Sequence, residues 1–178
     1  MDLIETIDGG FFTTVQDLGR YGYQRYGVPV SGAMDSFALR TANLLVGNQE
    51  SAAGLEITLL GPRLRFLADT VIALTGADLE ARLDDQPVPR WQPVVALEGA
   101  VLAFGAARDG LRAYLSIAGG IDVPIVLGSR STFTRGALGG FGGRALAPGD
   151  RLPAGGGPPA RVEGRTLPPG SVPVYGHD

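Results

Sequence analysis

The sequence contains no cysteine and no lysine, and its one histidine, His177, stands next to the C-terminus. Without cysteine there are no disulfides, no thiolate nucleophile and no cysteine-ligated zinc or iron–sulfur centre. All fifteen basic residues are arginine, which also excludes a lysine nucleophile or Schiff base. A histidine in that position is a poor candidate for a Ser-His-Asp triad, and a single histidine cannot form a multi-histidine metal site, so we predict no metal in this chain.

Long apolar runs and a strong net charge are missing as well. The longest apolar runs, such as residues 123–127, are too short to span a bilayer, and Asp2 and Glu5 interrupt any N-terminal signal sequence. The net charge of −3 gives no general attraction to nucleic acid or to anionic membranes. We therefore predict a cytoplasmic protein with neither nucleic acid nor membrane as a partner.

What is present is typical of a globular β protein. The chain has 178 residues, of which 44% are hydrophobic and 19% charged, enough for one domain with a core. Short segments with strand patterns are separated by turn residues, and Asp8-Gly9-Gly10 is typical of a hairpin turn. Many short strands without a strand–helix alternation favour an antiparallel barrel or sandwich. The predicted strands are residues 3–7, 11–15, 55–60, 63–67, 71–75, 79–83, 94–97, 100–104 and 111–117.

One helix is predicted, over about residues 34–46. Its apolar face would consist of Met34, Ala38, Ala42 and Leu45, which recur at helical steps. Asp35 or Ser31 could cap the start, and Gly47 could end the helix. A polar stripe lies at the same spacing, and it is either a solvated face or part of a site: Ser36, Arg40 and Asn43.

The last part of the chain has a different composition from the rest. Residues 154–178 contain GGGPPA and LPPGSVP, which cannot form a regular element and carry too little apolar surface for a core. We predict a β domain over residues 1–153 and a linker or tail over residues 154–178.

Two stretches rich in glycine and polar residues are candidates for a site. In residues 15–43 the polar residues are Asp17, Arg20, Arg25, Ser31, Asp35, Arg40 and Asn43. Ordinary packing does not require such a density of polar groups, and most of the stretch is typical of a loop. A polar loop that runs into a helix start is a place where anions and catalytic groups are often held.

The second stretch, residues 128–144, has six glycines and no acidic residue. Its charged and hydroxyl side chains are Arg130, Arg135, Arg144, Ser129, Ser131, Thr132 and Thr134. Glycines let backbone N–H groups approach a ligand, and arginine matches planar oxyanions, so a carboxylate or phosphate site is favoured. The alternative is a surface loop with solvated arginines. The lysine of a Walker loop is missing, so ATP binding by this chain alone is not predicted.

Three carboxylates stand beside these stretches. Asp17, Asp35 and Glu56 could divide general acid and base roles if their surroundings separate their pKa values. Simpler roles are also open, because Asp35 could only cap the helix and Asp17 could only hold Arg20 across a turn. We favour the cap for Asp35 and keep Asp17 and Glu56 as catalytic candidates.

Several unusual motifs in the sequence carry a family resemblance. They are TVQDLGRYGYQRYGVPVSGAMD from Thr14, GLEITLLGP from Gly54, and YLSIAGGIDVPIVLGSRSTFTRGALGGFGGRALAPGDRL from Tyr114. With them, residues 13–153 closely resemble the N-terminal half of the KipA family. That family is also called allophanate hydrolase subunit 2, the biotin-dependent carboxyltransferase family, or the C subunit of the ATP-dependent 5-oxoprolinase.

The resemblance implies a cyclophilin-like antiparallel β-barrel with one packed helix. It implies a component of a hydrolase that opens the lactam of 5-oxoproline with ATP, alongside a KipI-type subunit and a LamB/YcsF-type protein. On this interpretation Asp17 or Glu56 assists proton movement, and Arg20 must approach Arg130. The small amide or carboxylate substrate would be bound by Arg20, Ser31, Arg40, Asn43, Arg130, Ser131, Thr132, Arg135 and Arg144.

Two other functions are compatible with the same resemblance. The chain could belong to the carboxyltransferase part of a urea amidolyase, which moves CO2 from carboxybiotin to urea. Because no lysine can accept biotin here, the biotin would then be carried by a partner chain. The third possibility is a non-catalytic antagonist of a KipI-type kinase inhibitor.

Overall fold

The computed structural model of the chain describes residues 1–155, 164–168 and 170–175. One α-helix, α1 (Ser36–Leu45), and two short 3₁₀ turns, Gln24–Tyr26 and Thr134–Gly136, accompany the strands in these residues. None of the helices in these ranges is long and apolar enough to cross a membrane. The strands in chain order are β1 (Asp2–Asp8), β2 (Phe12–Gln16), β3 (Gly54–Thr58), β4 (Arg63–Phe66), β5 (Thr70–Asp78), β6 (Arg82–Leu83), β7 (Gln86–Pro87), β8 (Pro93–Ala96), β9 (Val101–Ala103), β10 (Asp109–Ile117) and β11 (Arg151–Pro153).

The strands form two antiparallel sheets. One has the order β11-β1-β4-β9-β6-β7, and the other has the order β2-β3-β10-β5-β8. The main core contains side chains from both sheets, including Leu64, Phe66, Ile72 and Leu115. The predicted mainly β, antiparallel fold with one packed helix is confirmed. In the described part of the chain the strands pair within two sheets, and no ladder closes them into a single barrel.

The predicted hairpin at residues 8–10 is wrong. β1 belongs to the six-stranded sheet and β2 to the five-stranded sheet, so this turn carries the chain from one sheet to the other. The Asp8 carboxylate accepts a hydrogen bond from the Gly10 N–H (2.9 Å), which accounts for the turn signal. A Cβ on Gly9 would overlap the carbonyl oxygen of Leu146, so the close approach of the two segments requires glycine.

The predicted strand at residues 79–83 is shorter in the structure. Only Arg82–Leu83 pairs as a strand, because Glu80 has a left-handed backbone (φ 49°) that interrupts an extended segment. β5, by contrast, is longer than predicted and is buried along nearly its whole length. Ile72 and Leu74 belong to the main core, while Val71 and Ala73 pack in a second cluster that contains residues of α1.

The helix has the cap that the sequence favours, and it begins two residues after the predicted start. The Asp35 carboxylate caps α1 by accepting a hydrogen bond from the Ala38 N–H (2.9 Å). Ala38, Leu39 and Ala42 are fully buried, and α1 packs on β5 and β10. Met34 is wrongly assigned to the buried face, because it precedes the cap and its side chain is 71% exposed.

Parts of the predicted tail lie against α1. The Arg165 guanidinium donates a hydrogen bond (2.8 Å) to the Leu44 carbonyl, which also accepts one from the Gly47 N–H (3.1 Å) at the helix end. The Tyr175 hydroxyl donates to the Asp35 carboxylate (2.8 Å), and its ring stacks on Trp91 with centroids 6.4 Å apart. These described parts thus touch both ends of α1, while His177 and residues 156–163 lie outside the described residues.

Candidate functional site

Asp17 joins two segments that are far apart in the sequence. One of its carboxylate oxygens accepts hydrogen bonds from the Gly19 N–H (2.8 Å) and from the hydroxyls of Ser129 (2.7 Å) and Ser131. The other oxygen accepts from the backbone N–H of Arg130 (2.6 Å). The residues after β2 and the glycine-rich stretch, which the sequence marks separately, are therefore in direct contact.

The hydrogen bonds decide the charge of Asp17. Burial raises the pKa of its carboxyl, but hydrogen bonds from Ser131 and Ser129 and from the backbone N–H groups of Arg130 and Gly19 outweigh it and hold the pKa below its usual value. A carboxylate with four donors and a low pKa is a weak base. The geometry therefore fits a residue that positions its neighbours, and a catalytic role for Asp17 stays a prediction.

Arg20 is buried beneath the glycine-rich stretch. Its side chain is 1% exposed, and its guanidinium donates to the carbonyl oxygens of Ser131 and Val126. Burial lowers the pKa of this guanidinium, and the nearby charge of Asp17 partly offsets that effect. A Cβ on Gly139 would collide with its Nη2, so glycine there makes room for the arginine. The Arg20 guanidinium donates to the Val126 carbonyl and the Arg130 guanidinium to the Val123 carbonyl, so both bond to the same short segment; a closer approach of the two arginines stays a prediction.

Ser131 and Thr132 tie the same segment to β2. The Thr132 hydroxyl (2.8 Å) and its N–H (3.0 Å) both donate to the Val15 carbonyl, and the Gln16 side chain donates to the Thr132 carbonyl (3.3 Å). Ser131 and Thr132 are almost completely buried. Both residues therefore form hydrogen bonds inside the junction and do not present their hydroxyls to solvent.

A cavity of about 220 Å³ opens beside this junction. It is lined by Asp17, Leu18, Gly19, Ser51, Ile125, Gly128, Ser129 and Arg130. The Arg130 guanidinium donates through Nε to the Val123 carbonyl (2.8 Å) and through Nη2 to Asp122 (2.7 Å). No hydrogen bond or ion pair of its Nη1 is found among the residues that the structure describes, and Arg130 is one of the residues that line the cavity.

Ser51 is a lining residue that sequence reasoning missed. It stands in the turn after α1, where no motif marks it. Asn43, which is fully buried, donates to the carbonyls on either side of it, those of Glu50 (3.2 Å) and Ala52 (2.8 Å). Asn43 thus acts on the cavity through the backbone around Ser51. Ser129, which the sequence marks only as one of several hydroxyls, is likewise a lining residue.

The other predicted binding residues do not line this cavity. Arg40 is on the exposed side of α1 and pairs with Glu50 (3.3 Å), as the solvated-face alternative expects. Arg144 forms a two-pronged ion pair with Asp150 (2.6 and 2.8 Å), which satisfies its charge outside the cavity. Arg135 is exposed on the second 3₁₀ turn, and Ser31 is half-buried with a left-handed backbone (φ 56°).

Glu56 belongs to a separate network under the start of α1. Its carboxylate accepts hydrogen bonds from the Met34 N–H (2.8 Å) and the Tyr114 hydroxyl (2.7 Å). That hydroxyl in turn accepts from the Asp35 N–H (2.7 Å), and burial together with the charge of Glu56 raises the pKa of Tyr114. The structure does not bring Glu56 to the cavity beside Asp17.

Comparison with known proteins identifies relatives of two kinds. The urea amidolyase of Saccharomyces cerevisiae is 49% identical over 150 residues, which is 84% of this chain and 8% of that protein. The C subunit of the Escherichia coli 5-oxoprolinase is 48% identical over 153 residues, which is 86% of this chain and 49% of that protein. The chain therefore spans about half of one relative and a small part of the other.

The fold of a solved relative agrees with these sequence matches. The crystal structure of the K. lactis urea amidolyase superposes with a TM-score of 0.85 at 44% identity, over 97% of this chain and 10% of that one. The sequence pattern of the family described as "Carboxyltransferase domain, subdomain A and B" matches residues 26–177. A match over most of the chain, together with these relatives, shows that the chain belongs to this carboxyltransferase domain family.

Proposed function

We propose that this chain is a substrate-binding part of a 5-oxoprolinase component. The observation that carries the proposal is the cavity beside Asp17, which Arg130 lines. Val123 and Asp122 hold two nitrogens of its guanidinium, and Nη1 has no bond within the described part of the chain. The E. coli relative of this name shares 48% of its residues over the matched region. A cytoplasmic location is part of the same proposal.

The chemistry of 5-oxoproline suits such a cavity. The molecule is small and carries a carboxylate next to a cyclic amide, so it needs one cation and a few neutral hydrogen-bonding groups. Arg130 Nη1 would donate to the carboxylate, and the Ser51 hydroxyl would bond to the lactam. Asp17 would keep the Gly19 and Arg130 backbone in position. We assign no proton transfer to Asp17, since its low pKa makes it a weak base.

This chain has no lysine. It therefore offers no Walker-type contact to the phosphates of ATP, and it has no residue that could carry covalent biotin for the alternative carboxyltransferase reaction. ATP would be handled by the complex, with a KipI-type subunit and a LamB/YcsF-type protein as partners. In this proposal the chain contributes binding and orientation of the small substrate.

The carboxyltransferase part of a urea amidolyase is the second candidate. It is favoured by the 49% identity to the S. cerevisiae urea amidolyase, a value equal within a percent to that for the E. coli protein. Urea has no carboxylate, so Arg130 would have no anionic group of urea to bind. The two candidates therefore differ in how strongly substrate binding should depend on the charge of Arg130.

A charge-removing substitution tests the first candidate. In the chain reconstituted with its KipI-type and LamB/YcsF-type partners, Arg130→Gln should lower kcat/KM for ATP-dependent 5-oxoproline hydrolysis by about 10- to 100-fold, because a charge-assisted hydrogen bond is lost. The matched control is Arg135→Gln, five residues along the same segment and exposed away from the cavity. We expect it to stay near the wild-type rate.

Equal effects of the two substitutions would contradict the assignment of Arg130. Thermal melting of both variants separates loss of fold from loss of binding, because Arg130 also pairs with Asp122. Absence of 5-oxoproline hydrolysis by the wild-type assembly, combined with urea carboxylation when a biotin-bearing partner is added, would favour the second candidate. Absence of both activities, with retained binding to a KipI-type partner, would favour a non-catalytic antagonist.

A further inference from the structure

A second cavity, of about 290 Å³, lies at the C-terminal end of β5. Its apolar floor is formed by Leu74, Ala77, Leu79, Val88, Phe104 and Ala113. Leu74, Ala77, Leu79 and Ala113 are core residues with at most 2% exposure, so the floor is continuous with the main core. The cavity shares no lining residue with the one beside Asp17.

An irregularity in the five-stranded sheet creates this space. β10 pairs with β5 at Ala113–Gly76 and again at Asp109–Asp78, so the register shifts between the two pairs. Gly76 has a left-handed backbone (φ 78°), and a Cβ there would collide with the Arg112 carbonyl oxygen. Bulges of this kind bend a strand and occur often beside functional sites. After the bulge the chain leaves for β6 in the other sheet, and the cavity lies at that departure.

The rim of the cavity carries an excess of positive charge. Three guanidinium groups and two carboxylates line it: Arg82, Arg90, Arg108, Asp78 and Glu80. Arg90 is fixed by the Gly76 carbonyl (2.8 Å) and lies 3.8 Å from Asp78, and Arg82 donates to the Asp85 carbonyl (2.9 Å). The Arg108 guanidinium forms no hydrogen bond or ion pair with the residues that the structure describes, although its backbone N–H is bound to the Asp78 carbonyl (2.8 Å).

We propose that this cavity binds a small monoanion with an apolar body, such as an aryl or alkyl carboxylate. The apolar floor would take the body, and Arg108 would pair with the carboxylate at the rim. The rim charges sum to about +1 with Arg108 included, which suits one negative charge better than two. The cavity is near the lower end of the usual range for ligand pockets, about 300–1,000 Å³, so the ligand must be small.

Phenylacetate and phenylacetamide provide a matched pair of probes, since they have the same apolar body and differ in charge. We would titrate each into the isotope-labelled full chain and follow amide shifts by NMR, with calorimetry for affinity. Phenylacetate should bind saturably, with the largest shifts at Ala81, Val88 and Arg108. Phenylacetamide should bind at least about tenfold more weakly, because it cannot form the charge-assisted bond.

Three variants locate the binding. Arg108→Gln should weaken phenylacetate binding about tenfold and leave phenylacetamide unchanged. Ala81→Trp, which fills the cavity with a side chain, should abolish binding of both probes. Arg151→Gln removes another exposed arginine, which pairs with Glu5 on β1 and does not line this cavity. It should change the affinity for neither probe.

The titration of the wild-type chain decides the proposal even if a variant fails to fold. Equal affinity for the two probes, or no saturable phenylacetate binding, would overturn it. Shifts centred on Ser51 and Ser129 would overturn it as well, because they would place the probe in the cavity beside Asp17. Inorganic phosphate that binds as tightly as phenylacetate would show a simple anion site and contradict the role of the apolar floor.

Discussion

Two regions of the molecule bury a carboxylate under hydrogen-bond donors. Asp17 lines a cavity, whereas Glu56 lines none of the cavities found in residues 1–155, 164–168 and 170–175. In the loop junction, formed by residues 16–20 and 123–132, Asp17 accepts bonds from two backbone N–H groups and two hydroxyls. In the helix-start network, formed by Met34, Asp35, Glu56 and Tyr114, Glu56 accepts one backbone N–H and one hydroxyl.

The two regions also differ in how the backbone holds them together. Glu56 and Tyr114 stand directly opposite each other on β3 and β10, so the sheet ladder already holds them together. The loop junction has no strand ladder between its two segments, and the carboxylate of Asp17 does much of the joining. A buried carboxylate should therefore contribute more to the free energy of unfolding where no strand ladder holds the surrounding segments together.

The largest expected effect is that of Asp17→Asn. The amide keeps the shape of the side chain but replaces one acceptor oxygen with an NH2 group, which faces a donor and leaves at least one buried N–H or O–H unpaired. We expect the free energy of unfolding to fall by about 2–4 kcal/mol in urea denaturation at neutral pH. Asp8→Asn is the matched control, since that carboxylate only caps an exposed turn. Similar losses in both variants would contradict the role of Asp17 as the link.

The pH dependence gives an independent measure of the same link. Because the pKa of Asp17 is lowered in the folded state, its ionised form adds stability above the usual carboxyl pKa of about 3.9. That contribution is lost as the pH falls from there through the lower folded-state pKa. We expect the stability difference between wild type and Asp17→Asn to shrink below about pH 4. A difference that stays constant down to about pH 3 would show that ionisation is not its cause.

A smaller effect is expected in the helix-start network. Tyr114→Phe removes the hydroxyl that accepts from the Asp35 N–H and donates to Glu56. We expect a loss of about 1–2 kcal/mol in the free energy of unfolding, because Glu56 keeps the Met34 N–H and the strand ladder stays intact. A loss larger than that of Asp17→Asn would reverse the ranking and show that the ladder does not support this network.

Local patterns were sufficient to predict much of the fold. The helix and its Asp35 cap depend on residues within one turn of each other, and most strands follow from short-range alternation. The turn at residues 8–10 misled the prediction because its chemistry is local while strand pairing is not. Nothing in Asp8-Gly9-Gly10 shows that β1 and β2 join different sheets.

The candidate site was only partly predictable, because its contacts also join residues that are far apart in the sequence. Polar density pointed to the stretches that contain Asp17 and Arg130, which the structure brings into contact, but it could not show which groups were already satisfied. Asp150 is six residues from Arg144, and the ion pair between them leaves Arg144 outside the cavity beside Asp17. Ser51 lines the cavity from a turn that Asn43 holds with two hydrogen bonds, contacts that no sequence pattern marks.

Arg40→Gln should have the smallest effect on stability, because Arg40 belongs to neither of the two compared regions. Its ion pair with Glu50 is about half exposed on both sides, so water and salt screen it. Arg40→Gln should change the free energy of unfolding by less than about 0.5 kcal/mol, as measured in urea at low and high salt. It should also leave kcat/KM for 5-oxoproline in the reconstituted assembly near the wild-type value. A clear drop in kcat/KM with unchanged stability would return Arg40 to the substrate site, since only contact with substrate, direct or through the turn at Ser51, could separate the two measurements.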